Sequence, residues 1–245
     1  MRISWSWAAW QPVIFRLPRR GPDVALTIDD APMPDTTPAL LDLLDRFRVP
    51  ATFFLSGCRL EGNLDLAAEI VRRGHAVYAH GWDHIRLDHA GPERLIADMD
   101  RCEALLATLR PTPRPYLARL PYNGGWRNRA VHRALARWQP GCQILHWGPS
   151  TEDHLIPTRC EADGDVEREC RAEVERVLAD PRLPGGILLM HDQPINERPG
   201  ARFKPATTLA LTRLLLEGLT GASYRLVPVA PKPPQPLWAR FALLW

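Results

Sequence analysis

The sequence predicts an α/β fold, a distorted and incomplete (β/α) barrel in which seven parallel strands alternate with helices. Short apolar runs alternate with amphipathic patterns along the chain, and such alternation favours parallel strands joined by right-handed crossovers. The turn after the first strand reads Asp29-Asp30-Ala31-Pro32 and lacks the glycines of a dinucleotide-binding fold. Polar clusters follow the predicted strands at their carboxyl ends, as in barrels of this class.

The strands are predicted from short apolar runs that contain β-branched or aromatic residues and are bounded by breakers. They cover residues 24–28, 51–55, 76–79, 116–119, 142–147, 186–190 and 224–227. Because seven strands are fewer than a complete barrel of this type contains, we expect the barrel to be incomplete.

Between the strands, apolar residues recur at helical spacing. The first helix is predicted with Thr37 as its N-cap, Pro38 at its first position and a leucine face toward the core. An open doubly wound sheet is the competing arrangement of the same elements, and the missing glycine-rich turn disfavours it. The predicted helices cover residues 38–47, 64–73, 92–109, 128–137, 165–178 and 205–216.

A chain of 245 residues, of which 45% are hydrophobic, is long enough for one large core or two small ones, and we expect one domain. The barrel is predicted over 21–228, between an aromatic amino-terminal segment, 1–20, and a proline-rich, aromatic carboxyl-terminal tail, 229–245. A net charge of +3 without long blocks of Lys or Arg argues against a nucleic-acid partner.

The chain ends and the cysteines bear on location. Residues 1–10 make a poor signal peptide, so a cytoplasmic or membrane-peripheral protein is favoured, and no apolar run approaches the ~20 residues that span a bilayer. The five cysteines are odd in number and form no C-x-x-C pair, which indicates neither a zinc knuckle nor a disulfide framework.

Aromatic faces at helical spacing in both termini suggest membrane-surface contact, with packing on the barrel as the alternative. These faces comprise Ile3, Trp7, Trp10 and Ile14, and then Trp238, Phe241 and Trp245.

His80 and His84 are four residues apart, so a helical turn would place both imidazoles on one side, where they can share a metal ion. Such a pair alone is weak evidence, because surface histidines give the same pattern by chance. Asp29 and Asp30 end an otherwise apolar strand, and buried carboxylates are costly unless they are paired or bind a metal. The four residues together predict a divalent-metal site, although a turn ahead of Pro32 also explains the two acids.

Three further charged side chains follow strand ends, namely Arg119, Asp153 and His191. An arginine at a barrel mouth can pair with a carboxylate and aim it, while a solvated surface charge is the alternative in a chain rich in Arg. The position of His191 across from the metal cluster favours a chemical role over that of a core histidine. A metal, a carboxylate base and a histidine acid are what the hydrolysis of an amide or ester needs.

In this order the motifs resemble the polysaccharide deacetylase family, also described as the NodB homology domain or carbohydrate esterase family 4. The likeness spans about residues 24–192. The family pattern T-F-D-D-G-P appears as Thr27-Ile28-Asp29-Asp30-Ala31-Pro32, and H-[ST]-x-x-H appears as His80-Gly81-Trp82-Asp83-His84. The pattern R-x-P-[YF]-x-G appears as Arg119-Leu120-Pro121-Tyr122-Asn123-Gly124. The Asp-Trp element appears as Asp153-His154, and L-x-H appears as Leu189-Met190-His191.

The resemblance implies a distorted seven-stranded (β/α) barrel that uses a divalent metal to remove an acyl group, N-acetyl above all, from an amino sugar in a polysaccharide or glycoconjugate. Two imidazoles and a carboxylate favour zinc as the ion, with cobalt, nickel, manganese or iron as alternatives. The resemblance also implies a role for each matching residue. Asp30, His80 and His84 would bind the metal, and the backbone N–H of Tyr122 would hold the oxyanion. Asp29 would be the base, and Arg119 would steer it. His191 would be the acid, and Asp153 would tune it.

Two positions depart from the family pattern. Gly81 lacks the hydroxyl that the family has there, which predicts weaker support for the metal site. His154 replaces a Trp and so changes one wall of the acyl pocket. Two other functions stay open, namely hydrolysis of another amide, such as a cyclic amide or a formylated amino-sugar lipid, and carbohydrate binding without catalysis.

Overall fold

The computed structural model describes residues 10–18, 21–162, 164–195 and 205–232, where strands and helices alternate. The strands are β1 (Val13–Ile14), β2 (Asp23–Ala31), β3 (Ala51–Leu55), β4 (Ala76–Ala79), β5 (Leu117–Ala118), β6 (Gln143–Leu145), β7 (Ile187–His191) and β8 (Arg225–Leu226). The helices are α1 (Thr37–Phe47), α2 (Gly57–Leu60), α3 (Leu64–Arg72), α4 (Pro92–Leu106), α5 (Arg129–Trp138), α6 (Ile156–Arg159), α7 (Asp165–Leu178) and α8 (Pro205–Gly221), with 3₁₀ turns at Pro121–Asn123 and Asp153–Leu155.

These strands form two sheets whose pairings are all parallel. The larger sheet has the order β4-β3-β2-β7, with β8 paired to β2, and the smaller has the order β1-β6-β5. The segment after β6 joins the two sheets, because Ser150 forms a parallel bridge with Leu189 of β7. The backbone N–H of Thr151 donates to the Leu189 carbonyl at 3.0 Å in this bridge.

The ring of strands is open between β4 and β5, which share no backbone pairing in the part of the chain described. Side chains span this seam instead. The N–H of Ala79 donates to the Tyr116 hydroxyl oxygen at 3.0 Å, and Arg110 Nε donates to the Val77 carbonyl at 2.9 Å. Glu103 of α4 accepts hydrogen bonds from both Tyr116 and Arg110. The barrel is therefore incomplete, and polar side chains hold the seam.

Strand β2 lies inside the larger sheet and carries the first acidic pair. All its residues after Asp23 are buried, as expected for a parallel strand covered on both faces. Its pairing with β3 shifts register between Asp29 and Ala31, and Asp30 has a left-handed φ of 67°. Because such a bulge breaks the alternation of side chains along a strand, Asp29 and Asp30 both reach the carboxyl-end mouth.

The predicted fold class is confirmed, and all seven predicted strands are present. The sequence does not predict β1, which pairs with β6 and brings residues 13–14 of the aromatic amino-terminal segment into the barrel. Thr37 is the first residue of α1 rather than its N-cap, since its hydroxyl donates to the buried Asp192 carboxylate. A tertiary hydrogen bond thus replaces the predicted local one.

The predicted helical face at the amino terminus is wrong where the structure describes it. Ile14 is buried in β1, while Trp10 is half-exposed outside any helix. None of the helices in the described ranges is long and apolar enough to cross a membrane. All five cysteines are free thiols. The other aromatic-face residues, Ile3, Trp7, Trp238, Phe241 and Trp245, lie outside the described residues.

Candidate active site and metal centre

The carboxyl ends of β2 and β4 bring Asp30, His80 and His84 together. Oδ1 of Asp30 lies 3.1 Å from Nε2 of His84 and 3.8 Å from Nε2 of His80, and all three side chains are buried. Ligand atoms that share one zinc ion at bonds of 2.0 to 2.2 Å lie about 3 to 3.5 Å apart. The two distances from Oδ1 of Asp30 lie within a few tenths of an ångström of that spacing, and all three donor atoms lie within 4.8 Å of one another, so the group can share one ion.

The tautomer of His80 is determined by the carbonyl beside it. Nδ1 lies 2.8 Å from the Arg119 carbonyl oxygen, which can only accept, so Nδ1 carries the proton. Nε2 then presents its lone pair toward Asp30. Burial outweighs the nearby carboxylates and lowers the pKa of His80, which favours the neutral form that binds metals.

Asp30 is held as a carboxylate despite its burial. Burial alone would raise its pKa, but a hydrogen bond and charge from His84, with the charges of His191 and His80, hold that pKa well below its ordinary value. Oδ2 of Asp30 accepts the backbone N–H of Ile195 at 3.0 Å. One oxygen is thus fixed by the backbone and the other faces the two imidazoles.

A carboxylate from α4 supports the loop between the two histidines. Gly81 has a left-handed φ of 84°, and a Cβ there would lie 2.8 Å from Oδ1 of Asp98. That oxygen accepts the backbone N–H of Trp82 at 2.5 Å, and Asp98 is only 4% exposed. Asp98 thus supplies an acceptor from the side where a side chain at position 81 would project, and weaker support for the metal site at Gly81 stays a prediction.

Asp29 lies beside the three potential ligands and is held by Arg119. Nη1 of Arg119 donates to Oδ1 of Asp29 at 2.8 Å, and also to Thr27 Oγ1 at 2.8 Å. Nε donates to the Leu145 carbonyl at 3.2 Å. Arg119 is 2% exposed, which excludes the surface-charge alternative. The second oxygen of Asp29 is left 3.7 Å from Nε2 of His80, facing the cluster.

His191, the last residue of β7, forms an ion pair with Asp153. Its Nδ1 lies 2.8 Å from Oδ1 of Asp153, and its backbone N–H donates to Oδ2 at 2.5 Å. Burial opposes protonation of the ring, but Asp153, with smaller effects of Asp30 and Asp29, raises the pKa of His191 to about 10. The pKa of Asp153 is correspondingly well below its ordinary value, although burial alone would raise it. In the β2–β7 register Asp29 pairs with His191, so both lie at one end of adjacent strands.

Two residues complete the mouth. Tyr122 has a φ of 58°, and its ring lies 4.9 Å from that of His84 between centroids. His154 follows Asp153, and its ring centroid lies 6.1 Å from that of His191. The structure thus brings every residue of the predicted site to the carboxyl-end mouth of the barrel.

Sequence reasoning misses two residues that position this site. Asp98 is detectable in principle, because it lies three residues after Leu95 as a charged residue on the apolar face of a helix. Arg59 donates to the backbone carbonyls of Asp30 and Gln193, which ties α2 to the ends of β2 and β7. No sequence pattern marks Arg59, since its partners are backbone atoms distant along the chain.

An α/β barrel with a buried acid–histidine cluster at the carboxyl ends of its strands is the architecture of a metal-dependent hydrolase. A family model described as polysaccharide deacetylase matches residues 16–139, and the chain belongs to the polysaccharide deacetylase family. A chitooligosaccharide deacetylase of Sinorhizobium fredii is 33% identical over 208 residues, which cover 81% of this chain and 88% of that protein. A peptidoglycan-N-acetylglucosamine deacetylase of Bacillus cereus is 30% identical over 218 residues, which cover 89% and 91%.

A solved structure agrees with the fold. The chitin deacetylase of the fungal pathogen Colletotrichum lindemuthianum superposes with a TM-score of 0.72 at 24% identity, over 88% of each chain. At this identity the superposition supports the architecture, while the family rests on the sequence matches. The protein is therefore a hydrolase of the deacetylase class, as the motifs predict.

Proposed function

We propose that the protein removes the N-acetyl group from an amino sugar in a polysaccharide or glycoconjugate, with a divalent metal as cofactor. The convergence of Asp30, His80 and His84 beside Asp29 carries this proposal. Two curated relatives are deacetylases of chitooligosaccharides and of N-acetylglucosamine in peptidoglycan, which supports a substrate with an acetylated amino sugar.

Asp30 Oδ1, His80 Nε2 and His84 Nε2 are the atoms that would hold the ion. A carboxylate with two imidazoles suits zinc best, although cobalt, nickel, manganese and iron accept the same donors. When bound, the ion supplies Lewis acidity toward the substrate carbonyl and a lower pKa for water. The buried donor set and the carbonyl that orients His80 both fit such an ion.

Asp29 is the proposed base. Arg119 holds Oδ1 of Asp29, so Oδ2 is the oxygen that faces the potential ligands and accepts a proton from the attacking water. A buried carboxylate aimed in this way needs no movement when the proton arrives. A positioned general base typically contributes a factor of ~100 to ~10,000 to the rate.

His191 is the proposed acid. Asp153 accepts the hydrogen bond from Nδ1, so Nε2–H is the proton that the ring can donate to the leaving amine nitrogen. After donation the neutral ring remains bonded to Asp153 and keeps its orientation. Asp153 thereby acts through His191, as a positioning residue that also favours the charged ring.

Tyr122 is proposed to stabilise the oxyanion through its backbone N–H. Tyr122 and Asn123 both have positive φ, which turns the backbone sharply beside the ring of His84. A preorganised donor of this kind typically contributes ~3 to 4 kcal/mol to transition-state stability.

Acetate release from N-acetylglucosamine oligomers tests the proposal, with a cyclic ureide and a formamide as comparison substrates. We expect the zinc-loaded protein to release acetate from the oligomers and to leave the other two intact. Hydrolysis of the ureide or formamide alone would contradict the proposed substrate class. Oligomer binding without release of acetate would instead indicate a carbohydrate-binding relative.

A further inference from the structure

A second cluster of potential metal ligands lies beside the first at the barrel mouth. Asp153, His154 and His191 each offer one donor atom, and these atoms lie within 4.8 Å of one another. Oδ1 of Asp153 is 2.8 Å from Nδ1 of His191 and 3.9 Å from Nδ1 of His154. These two distances bracket the spacing of about 3 to 3.5 Å between ligands of one zinc ion.

His154 carries a nitrogen that the fold leaves without a hydrogen bond. Its Nδ1 is buried and makes none, although the side chain as a whole is 38% exposed. On the other side of the ring, Nε2 lies 3.8 Å from Oε2 of Glu152. A carboxylate beside one imidazole nitrogen favours the tautomer with the proton on that nitrogen. The other nitrogen then has a free lone pair that can bind a metal. A shared ion would require a small rotation of this partly exposed ring to shorten the 3.9 Å separation from Oδ1 of Asp153.

We propose that Asp153, His154 and His191 form a second, inhibitory site for zinc. Its donors are one carboxylate and two imidazoles, the same set as in the first cluster, and both sets suit zinc. The second site depends on His154, at the position where the resemblance implies a Trp in the family.

Inhibition follows from the chemistry of His191 and therefore rests on the proposed function. Zinc at Nδ1 displaces the proton of that nitrogen to solvent and breaks the hydrogen bond to Asp153. The ring then holds a single proton, at Nε2, and could release it only by becoming an imidazolate. A ring bound in this way no longer serves as the acid for the leaving amine.

The test counts bound zinc ions per chain by elemental analysis after equilibrium dialysis against increasing zinc chloride. We expect the wild-type protein to bind one more ion than His154→Gln, or to bind that ion at least about tenfold more tightly. His89→Gln is the matched control, because His89 is 72% exposed outside both clusters, and it should bind as the wild type does. Equal ion counts and affinities in wild type and His154→Gln would overturn the site.

A second measurement compares acetate release at one and at ten equivalents of zinc, each protein relative to itself. At ten equivalents of zinc we expect the rate of acetate release to fall at least tenfold in wild type and His89→Gln, and less than twofold in His154→Gln. Equal losses in all three would overturn the inhibitory role. If the additional ion binds but the protein with one equivalent deacetylates no amino sugar, the proposed function fails and the second site stands.

Discussion

Nδ1 of His191 lies 2.8 Å from Oδ1 of Asp153, in an ion pair that holds the ring protonated at neutral pH. The pKa of His191 rises from 6.5 to about 10, so the pair's contribution to folding stability is complete below pH 6.5 and is lost as the pH rises through 10. The lowered pKa of Asp153 means that the contribution is also lost in strong acid, as the pH falls through that pKa.

Asp153→Asn tests the link between this ion pair and the reaction. The amide keeps the shape and an acceptor oxygen but removes the charge, so we expect the pKa of His191 to fall from about 10 toward 6.5. The alkaline limb of the kcat/KM profile should move to lower pH by the same amount. A profile whose alkaline limb stays in place would show that His191 is not the acid.

Asp29→Asn and His84→Ala separate the base from the metal ligands. Loss of the base should lower kcat by a factor of ~100 to ~10,000 while the protein retains its zinc. Loss of the His84 ligand should remove both zinc and turnover. Zinc content by elemental analysis and kcat for acetate release are measured on the same samples, and wild-type turnover in Asp29→Asn would reject the assignment of the base.

Asp98→Ala removes the acceptor that holds the Trp82 N–H between the two histidines. Partners that orient metal ligands typically affect affinity by a factor of 10 to 100, so we expect the zinc dissociation constant to rise by about that factor. Asp98→Asn retains an acceptor oxygen and should recover most of the affinity. Asp100→Ala on the same helix is the control, since Asp100 bonds Trp138 instead, and an equal loss of affinity there would attribute the effect to the helix as a whole.

Arg119→Lys keeps a positive charge but loses the planar group that contacts Asp29, Thr27 and Leu145 at once. We expect kcat to fall about 100-fold with little change in KM, because Asp29 loses its orientation. Arg110→Lys is the comparison, since the Arg110 side chain is only 8% exposed but bridges the seam between β4 and β5. It should lower the melting temperature without a comparable loss of kcat, and the opposite pattern would contradict the role of Arg119.

The general position of the site follows from the sequence because parallel strands end at the same edge of a barrel. Asp29, His80 and His191 each follow a short apolar run, so their convergence is predictable without any contact being known. The strand–helix alternation predicts the fold class for the same reason. These features depend only on the order of strands and helices along the chain and on the edge of the barrel at which the strands end.

Other features depend on contacts between segments distant along the chain. The bulge at Asp30 arises from the register of β2 against β3, and the two residues of β1 are too few for a periodic pattern. The bond from Thr37 to Asp192 joins α1 to the end of β7. In each case a tertiary interaction overrides a local preference. Such an interaction cannot be read from the pattern of a single sequence.

The proposed chemistry requires Asp30, His80 and His84 to bind one metal ion. An anomalous difference map, recorded at the zinc edge from crystals grown with one equivalent of zinc, would locate that ion. We predict one dominant peak about 2.0 to 2.2 Å from Asp30 Oδ1, His80 Nε2 and His84 Nε2. A dominant peak elsewhere, with these three atoms coordinating nothing, would show that they do not form the metal site.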